Sequence, residues 1–566
     1  MKTTHNRRSA TRTGAAMIAA TVLSKALGVL RTALIAARFG TGSDASAYAV
    51  AEKLPLSLFE LLIGAAVAAC FIPAYQRLRA EDTDADLSET GNAPCKPDSA
   101  AAQFASRFGG AVFLGALPLT LLGILLASPL VSLTAPGLTG EGAGTAIGLL
   151  RILFWAVLPA AGTAVYSGLL QSHGCFLLPA GVSVISNAAV IVYLFLSRAD
   201  GTGGSIFGLA AVSLAAWLLQ FLTLAVPARR RGLSLFAGVF GRLGRRGHIP
   251  PDAIGILDRA NTADAAAKRT LRTVLRNAPT VLLSSWLLPG GALCGLYFAS
   301  SASADGTTVF NYAHGIFLIA AGILTYSVCN YLFPALSAQA ARDRHAMENT
   351  VRRGMIWLFT LPLPAAVLLT LLARPAVAVL YERSAFTAQD TEAVAACLRI
   401  MAWALPAFAA NELGARIAYA LGRPRRTACA AIAGLTVQCI VGAVFSLISP
   451  RSVRAAGFGC ALGIAVSACI LLITTAHDLR GVFQKQLALP LLGTAAGACI
   501  AGGAAHGVFA WVSACIPNGG TLSCLLAVLC AGGAGIIACL GWLIAVRHLL
   551  PAADALPGIG RKGGNV

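Results

Sequence analysis

Apolar residues run through this chain in long stretches, without the two-residue alternation of a half-buried strand. Fourteen stretches approach or exceed the roughly 20 residues a helix needs to cross hydrocarbon. They lie near 14–39, 46–74, 108–134, 146–171, 175–197, 204–227, 273–302, 308–336, 354–380, 391–421, 427–449, 456–476, 487–512 and 522–547. Several contain Pro or Gly, which membrane helices tolerate because neighbouring groups re-satisfy the freed backbone. The pattern predicts an all-α polytopic membrane protein with 14 transmembrane helices.

The polar connections sort by charge. The amino terminus carries Lys2, Arg7, Arg8 and Arg12, and every second loop after it is basic, as in Arg342/Arg344/Arg352/Arg353 and Arg423/Arg425/Arg426. The intervening loops are almost free of bases, apart from Arg198, Arg383, Arg451 and Arg454. The positive-inside rule then places both termini in the cytoplasm, with roughly 30 bases on that side against about 4 on the other. The first run follows three arginines as a signal peptide would. It carries Lys25 and Arg31, however, and continues to Phe39, too long and too charged for a cleaved segment. It reads as the first span.

Two cytoplasmic connections stand out. Residues 80–104 are acidic and rich in Gly and Pro, the composition of an insertion rather than a core. Residues 228–271 include ARRRG and GRLGRRG; they read either as a topology-setting linker or as a segment lying on anionic headgroups. The linker divides the first twelve spans six and six, which suggests the internal repeat common in transporters. The expected organisation is an N-terminal six-helix lobe over 1–227, the linker, a C-terminal six-helix lobe over 272–480, and two extra helices with a tail over 481–566. The extra pair is rich in small residues that permit close helix packing, as at Gly493–Gly497.

Composition changes the picture only in what it excludes. Of 566 residues 57% are hydrophobic and 12% charged, with mean hydropathy +0.75; a soluble domain carries about 25% charged residues. The net charge of +20 is accounted for by the basic loops, so no nucleic-acid partner is expected. The 15 cysteines and eight histidines are scattered, without metal spacing. Most cysteines sit in apolar runs, where they act as small packing residues. No nucleophile elbow, P-loop or dinucleotide fingerprint occurs. The chain is expected to be no enzyme and to need no cofactor or metal.

The candidate chemistry lies in the first two spans. A base at the bilayer centre costs roughly 2.5–3.5 kcal/mol on insertion scales, yet SKALGVLRTALIAARFG holds Lys25, Arg31 and Arg38. At about 100° per residue, Thr21, Ser24, Lys25, Gly28, Arg31, Thr32 and Arg38 share one arc, with Ile35 as the apolar intruder. Val22, Leu23, Ala26, Leu30, Ala33, Leu34 and Ala37 form the other side. In the second span Ser46, Lys53, Ser57 and Glu60 share a face, with Glu52 beside them and a bend expected at Pro55. Two readings stand. Glu52 and Glu60 neutralise Lys53 and Lys25 and hold the helices together, or surplus positive charge lines a cavity for an anionic substrate.

Ser24–Arg31 resembles the first-helix motif S-R-x-L-G-x-x-R of the MurJ/MviN family. Phe39-Gly40-Thr41-Gly42, Ala47–Ala51, Leu54-Pro55 and Phe71-Ile72-Pro73 continue the likeness. So do Leu332–Ser337, Tyr381–Thr391 against F-x-R-G-x-F-T-x-x-D-T, and Ala415–Gly422, in order over about 15–480. The resemblance implies a MATE-like fold of the MOP superfamily, with two six-helix lobes around a cationic cavity and two added helices grooved for a lipid tail. It implies flipping of lipid II, the undecaprenyl-pyrophosphate-linked peptidoglycan precursor, from inner to outer leaflet of a bacterial cytoplasmic membrane by alternating access. Partners would be that anionic lipid-linked substrate, membrane lipids and the cell-wall synthesis machinery.

Carried over from the first-helix motif, Ser24, Lys25 and Arg31 are expected to bind substrate; Lys53, from the polar face of the second span, and His314, beside Gly315, are expected to join them. Glu52, Glu60 and Glu412 are candidate sites for coupling to H+ or Na+, each equally readable as an ion-pair partner; the membrane potential is a third drive. The chain departs from the family pattern where Lys25 replaces an arginine, Thr32 an acid, Phe59 an arginine, Gly64 a glutamate and Gly315 a cavity arginine. Alternatives are a flippase for another polyprenyl-linked glycan, a MATE-type antiporter, a non-transporting scaffold and a membrane glycosyltransferase. Cation antiport would want acidic charge in the cavity, contrary to the first span.

Overall fold

The computed structural model describes residues 2–65, 67–84, 99–199, 205–230, 254–340, 343–479, 481–482, 488–516 and 520–546. Most of the acidic insertion at 80–104, much of the basic linker at 228–271, and the carboxy-terminal tail lie outside them. Among the described residues the structure is helical, with no strand.

The chain divides into two compact units. The first comprises Met1–Ile35, Ala47–Leu133 and Leu138–Ser285; the second comprises Ala36–Ser46, Thr134–Gly137 and Trp286–Val566. In the first, α1 (Lys2–Phe39) and α2 (Ser43–Phe59) lead into two π-helical turns, Glu60–Gly64 and Val67–Phe71, and α3 (Ile72–Asp84). Then come α4 (Ala100–Leu125), α5 (Ala127–Thr134), α6 (Gly140–Leu153), α7 (Val157–Ser172), α8 (Leu177–Ala199), α9 (Ile206–Arg230) and α10 (Ile254–Ser285). The α-helical turns run through Pro55 and stop at Phe59, so the change in the second span comes as a π-turn after the proline. Such turns are frequent at functional sites.

The second unit holds α11 (Leu287–Ala302), α12 (Gly306–Ala321), α13 (Ser327–Gln339), α14 (Arg344–Thr360), α15 (Pro362–Leu371), α16 (Ala373–Tyr381) and α17 (Ala388–Ala402). It continues with α18 (Leu405–Ala420), α19 (Pro424–Ile448), α20 (Arg454–Asp478), α21 (Ala488–Cys515) and α22 (Thr521–Val546).

Among the described residues ten helical segments are long and apolar enough to cross a membrane, twelve if the two broken pairs, α10 with α11 and α17 with α18, each count as one span. The two other expected spans are the charged ones, inside α1 and from α2 into α3. Large apolar side chains face outward as lipid contact requires: Leu447 is 83% exposed and Ile537 72%. This is a multi-pass membrane protein.

Lipid is as apolar as these side chains, so close packing rather than water exclusion joins the helices. In the first unit Phe71 stacks on Tyr75, Phe104 and Phe108, with centroids 4.8–5.7 Å apart; each such pair is worth about 0.5–1.5 kcal/mol. In the second, Gly434 and Gly463 bring α19 and α20 together: a Cβ on either would lie 2.6–2.7 Å from the other's carbonyl oxygen. The small residues of α21 and α22 do the same. Trp542 Nε1 donates to the Gly493 carbonyl at 2.9 Å, and a Cβ at Gly497 would meet the Trp542 ring at 2.9 Å.

The stretch Tyr381–Thr391 has a local reason for its sequence. Thr387 caps α17 and Asp390 returns the bond to the Thr387 N–H, a capping box. Asp390 also accepts from Thr41 Oγ1 at 2.6 Å. Gly40 has φ +59°, and a Cβ there would sit 2.6 Å from the Ala385 carbonyl oxygen. That left-handed backbone with no room for a side chain requires glycine.

Candidate functional site

The polar arc of α1 is the packed side of the helix. Val22, Leu23 and Leu30, opposite it, are 61%, 53% and 43% exposed, whereas Ile35 is buried. Ser24 shares a hydrogen bond with Ser183 (2.5 Å), and its carbonyl accepts from Asn187 Nδ2 (3.1 Å), tying α1 to α8. Thr32 Oγ1 donates to the Gly28 carbonyl at 3.0 Å, local bonding that leaves little for a ligand.

Arg31 is the centre of the arrangement. Its Nη2 donates to the Glu52 carboxylate in an ion pair and lies 3.4 Å from the Tyr48 hydroxyl. Tyr48 is four residues before Glu52, hence on the same helix face, and shares a 2.9 Å hydrogen bond with Ser213 of α9. The Arg31 Nε–H is buried without an acceptor, a spare donor on a group with five.

Beside this pair lies a cavity of about 120 Å³ with Arg31, Glu52, Ser186 and Ser213 as its polar walls and Leu56 and Trp217 among its apolar ones. All belong to the first unit. A cavity needs only about 10–15 Å³ by this measure to hold a water, so several waters or one small anionic group fit. Drug-sized ligands occupy roughly 300–1,000 Å³, so a glycan headgroup does not fit inside it.

The other sequence-predicted residues are placed as follows. Lys25 and Lys53 are half-buried and make no ion pair among the described residues. Glu52 makes its ion pair with Arg31, while Lys53, its neighbour in the chain, stays within its electrostatic reach without a salt bridge. Adjacent residues on a helix point about 100° apart, while a long side chain from another helix reaches across. Glu60, exposed, opens the first π-turn, and its carboxylate folds over Gly64, where a Cβ would lie 2.7 Å from Oε2. A carboxylate thus sits at the position where the family pattern carries a glutamate. Glu412 pairs with Arg416 one turn on, at 2.5 Å, and the Arg416 guanidinium stands 5.9 Å from the Tyr326 ring. His314 is 4% exposed and stacks on Phe310 at 5.3 Å and Phe317 at 6.2 Å. The space at Gly315 is open, with nothing within 4 Å of a Cβ there, whereas Phe59 is buried.

Tyr48, Ser183, Asn187 and Ser213 escaped the sequence reading. The four-residue spacing from Tyr48 to Glu52 was a usable signal for the first. The other three lie 159 to 165 residues along the chain from the groups they bond, and nothing in their own surroundings marks them.

The architecture matches solved membrane transporters. An inward-facing multidrug-resistance MATE family transporter of the MOP superfamily aligns with TM-score 0.60 and 15% identity over 81% of this chain and 95% of its own. A structure described as lipid II flippase MurJ in an inward closed conformation aligns with TM-score 0.69 and 18% identity over 94% and 99%. The class is therefore a polytopic membrane protein with the MATE-type transporter fold. The family model for lipid II flippase MurJ matches residues 35–529, and the chain belongs to that family. Among curated relatives, a probable lipid II flippase MurJ of Bdellovibrio bacteriovorus is 27% identical over 475 residues, 83% of this chain and 81% of its own. Lipid II flippase MurJ of Burkholderia cenocepacia is 25% identical over 471 residues, 82% and 83%.

Proposed function

We propose that this protein translocates lipid II from the inner to the outer leaflet of the bacterial cytoplasmic membrane by alternating access, as a transporter that makes and breaks no covalent bond. The observation that carries the reading is the Arg31 guanidinium on the first spanning helix, paired with Glu52 beside a polar cavity. Arg31 grips the diphosphate through its planar fork, which suits phosphate oxygens. Lys25 and Lys53 add charge. Glu52 fills the guanidinium while no substrate is present, and an incoming phosphate oxygen takes its place. The cavity admits phosphate alone, so the sugars and the prenyl chain stay outside it.

Both termini lie in the cytoplasm in this reading. A potential negative inside favours outward movement of an anion by about 2.3 kcal/mol per charge per 100 mV. Glu52, displaced from Arg31, is a site for a proton or Na+ in the same cycle. Glu412, already paired within its own helix, has a structural role, and His314 supports its aromatic stack.

The test is depletion of the host's lipid II flippase, complemented by this chain, with lipid II measured in the outer leaflet. Restored growth and outer-leaflet lipid II support the proposal; normal insertion without either removes lipid II as substrate. A second reading, another polyprenyl-linked glycan, is favoured by the buried Phe59 and by Gly315, which leave this chain without two of the pattern's arginines. The same assay with that lipid as probe separates the two.

A further inference from the structure

Several arginines crowd around one carboxylate at the end of the second unit that carries basic loops. Asp478, the last residue of α20, is 10% exposed at its side chain, and its carboxylate accepts from Arg423 Nη1 at 2.5 Å and from Arg426. Its main-chain carbonyl accepts from Arg344, and Arg426 also reaches the Thr474 carbonyl at 3.3 Å. The other acids nearby are engaged: Glu348 accepts from the Gly481 N–H and pairs with His345, and Asp343 caps α14. Arg425, beside Arg423 and Arg426 in the first turn of α19, is exposed and makes no ion pair among the described residues. The cluster therefore carries surplus positive charge. The α19 N-terminus adds to it, since its N-cap Arg423 makes no side-chain cap bond.

The surface below is apolar. Ile432 follows Arg425 by seven residues, which puts it on the same face of α19 about 10 Å deeper. Cys429, Ile432, Thr436 and Ile440 form an exposed stripe headed by Arg425. On α20 Ile473, 68% exposed, lies about 8 Å from Asp478 along the axis. A guanidinium above an apolar stripe on a membrane-crossing helix has the layout of a phospholipid, charge at the headgroup and hydrocarbon below.

We propose that the α19–α20 end binds an anionic phospholipid, its headgroup phosphate on Arg425 and Arg423 and its acyl chains along Ile432 and Ile473. A free phosphate would engage the same guanidiniums but leave the stripe unused, so the fit to both parts selects lipid.

The test uses the full chain reconstituted in phosphatidylcholine containing diazirine-tagged phosphatidylglycerol or, in parallel, diazirine-tagged phosphatidylcholine, with crosslinks mapped to peptides. Peptides bearing Ile432 and Ile473 are expected to label about fivefold more with the anionic lipid, the preference a juxtamembrane basic cluster confers. Arg425→Gln, which breaks no contact, should reduce that preference to below about twofold, and Arg425→Lys should keep most of it. Equal labelling by the two lipids, or an unchanged preference in Arg425→Gln, overturns the proposal and leaves Arg425 reaching only for water. Displacement by millimolar inorganic phosphate overturns it in favour of a free-phosphate site.

Discussion

The Arg31 guanidinium donates from α1 to the Glu52 carboxylate on α2, both less than a third exposed and both lining one cavity. Removing one partner of a buried pair leaves an uncompensated charge, commonly at a cost of about 3–5 kcal/mol; the partial exposure of both side chains lowers that here. Glu52→Gln is expected to insert, to melt at a lower temperature, and to show a lower apparent KM for lipid II, because the competing carboxylate is gone. An unchanged or raised KM would show that Glu52 does not compete for the guanidinium.

Arg31→Ala should cut translocation about 10–100-fold, the worth of hydrogen bonds to a charged group at about 1.5–3 kcal/mol. Arg31→Lys keeps charge but loses the fork, so its loss should fall between alanine and wild type. The measurement is outer-leaflet lipid II at matched membrane expression; full activity in Arg31→Ala sinks the assignment.

Two positions that lack the pattern's arginine should respond in opposite ways. Gly315 has open space at its Cβ position, so Gly315→Arg should be accepted with little loss of stability. Phe59 is 3% exposed, and Phe59→Arg buries a guanidinium without a partner, so it should reduce stability by several kcal/mol. Expression and melting temperature of the two variants side by side check this.

The α19–α20 contact predicts its own weak point. A Cβ at Gly434 would meet the Gly463 carbonyl at 2.6 Å, and backbone cannot yield as a side-chain tip can. Gly434→Ala and Gly463→Ala should each destabilise by about 1–3 kcal/mol, the usual cost of overpacking. In Gly503→Ala, where nothing lies within 4 Å, the melting temperature should hold.

Acid should weaken one contact in the first unit, outside the spanning segments. The hydrogen bond from Lys268 (2.9 Å), then Arg107, holds the Asp264 carboxyl below the usual range against opposing desolvation. A carboxyl depressed on folding contributes stability above its unfolded pKa of about 3.9 and loses it as pH falls through the lower folded value. The groups are solvated, so the contribution is about 0.2–1 kcal/mol. Asp264→Asn should lower the melting temperature slightly at pH 7 and shrink that part of the acid-induced loss; a difference from wild type that is the same at pH 7 and pH 3 would refute it.

Composition and periodicity determined the spans and the facing of α1, because hydropathy is a property of each local segment. The seven-residue recurrence of Ser24, Arg31 and Arg38 put the polar arc on one side, and Val22, Leu23 and Leu30 are indeed the exposed ones. The stretch Phe386–Thr391 was legible as a family motif, and its T-x-x-D spacing also encodes a helix cap. Partner choice was not legible. Whether Glu52 met Lys53 or Arg31, whether Glu60 covered Gly64, and that Asp390 received Thr41 from 349 residues away were decided by the tertiary structure. Such contacts depend on which helices pack side by side and on how far a long side chain reaches, and neither is written in the residues flanking the charge.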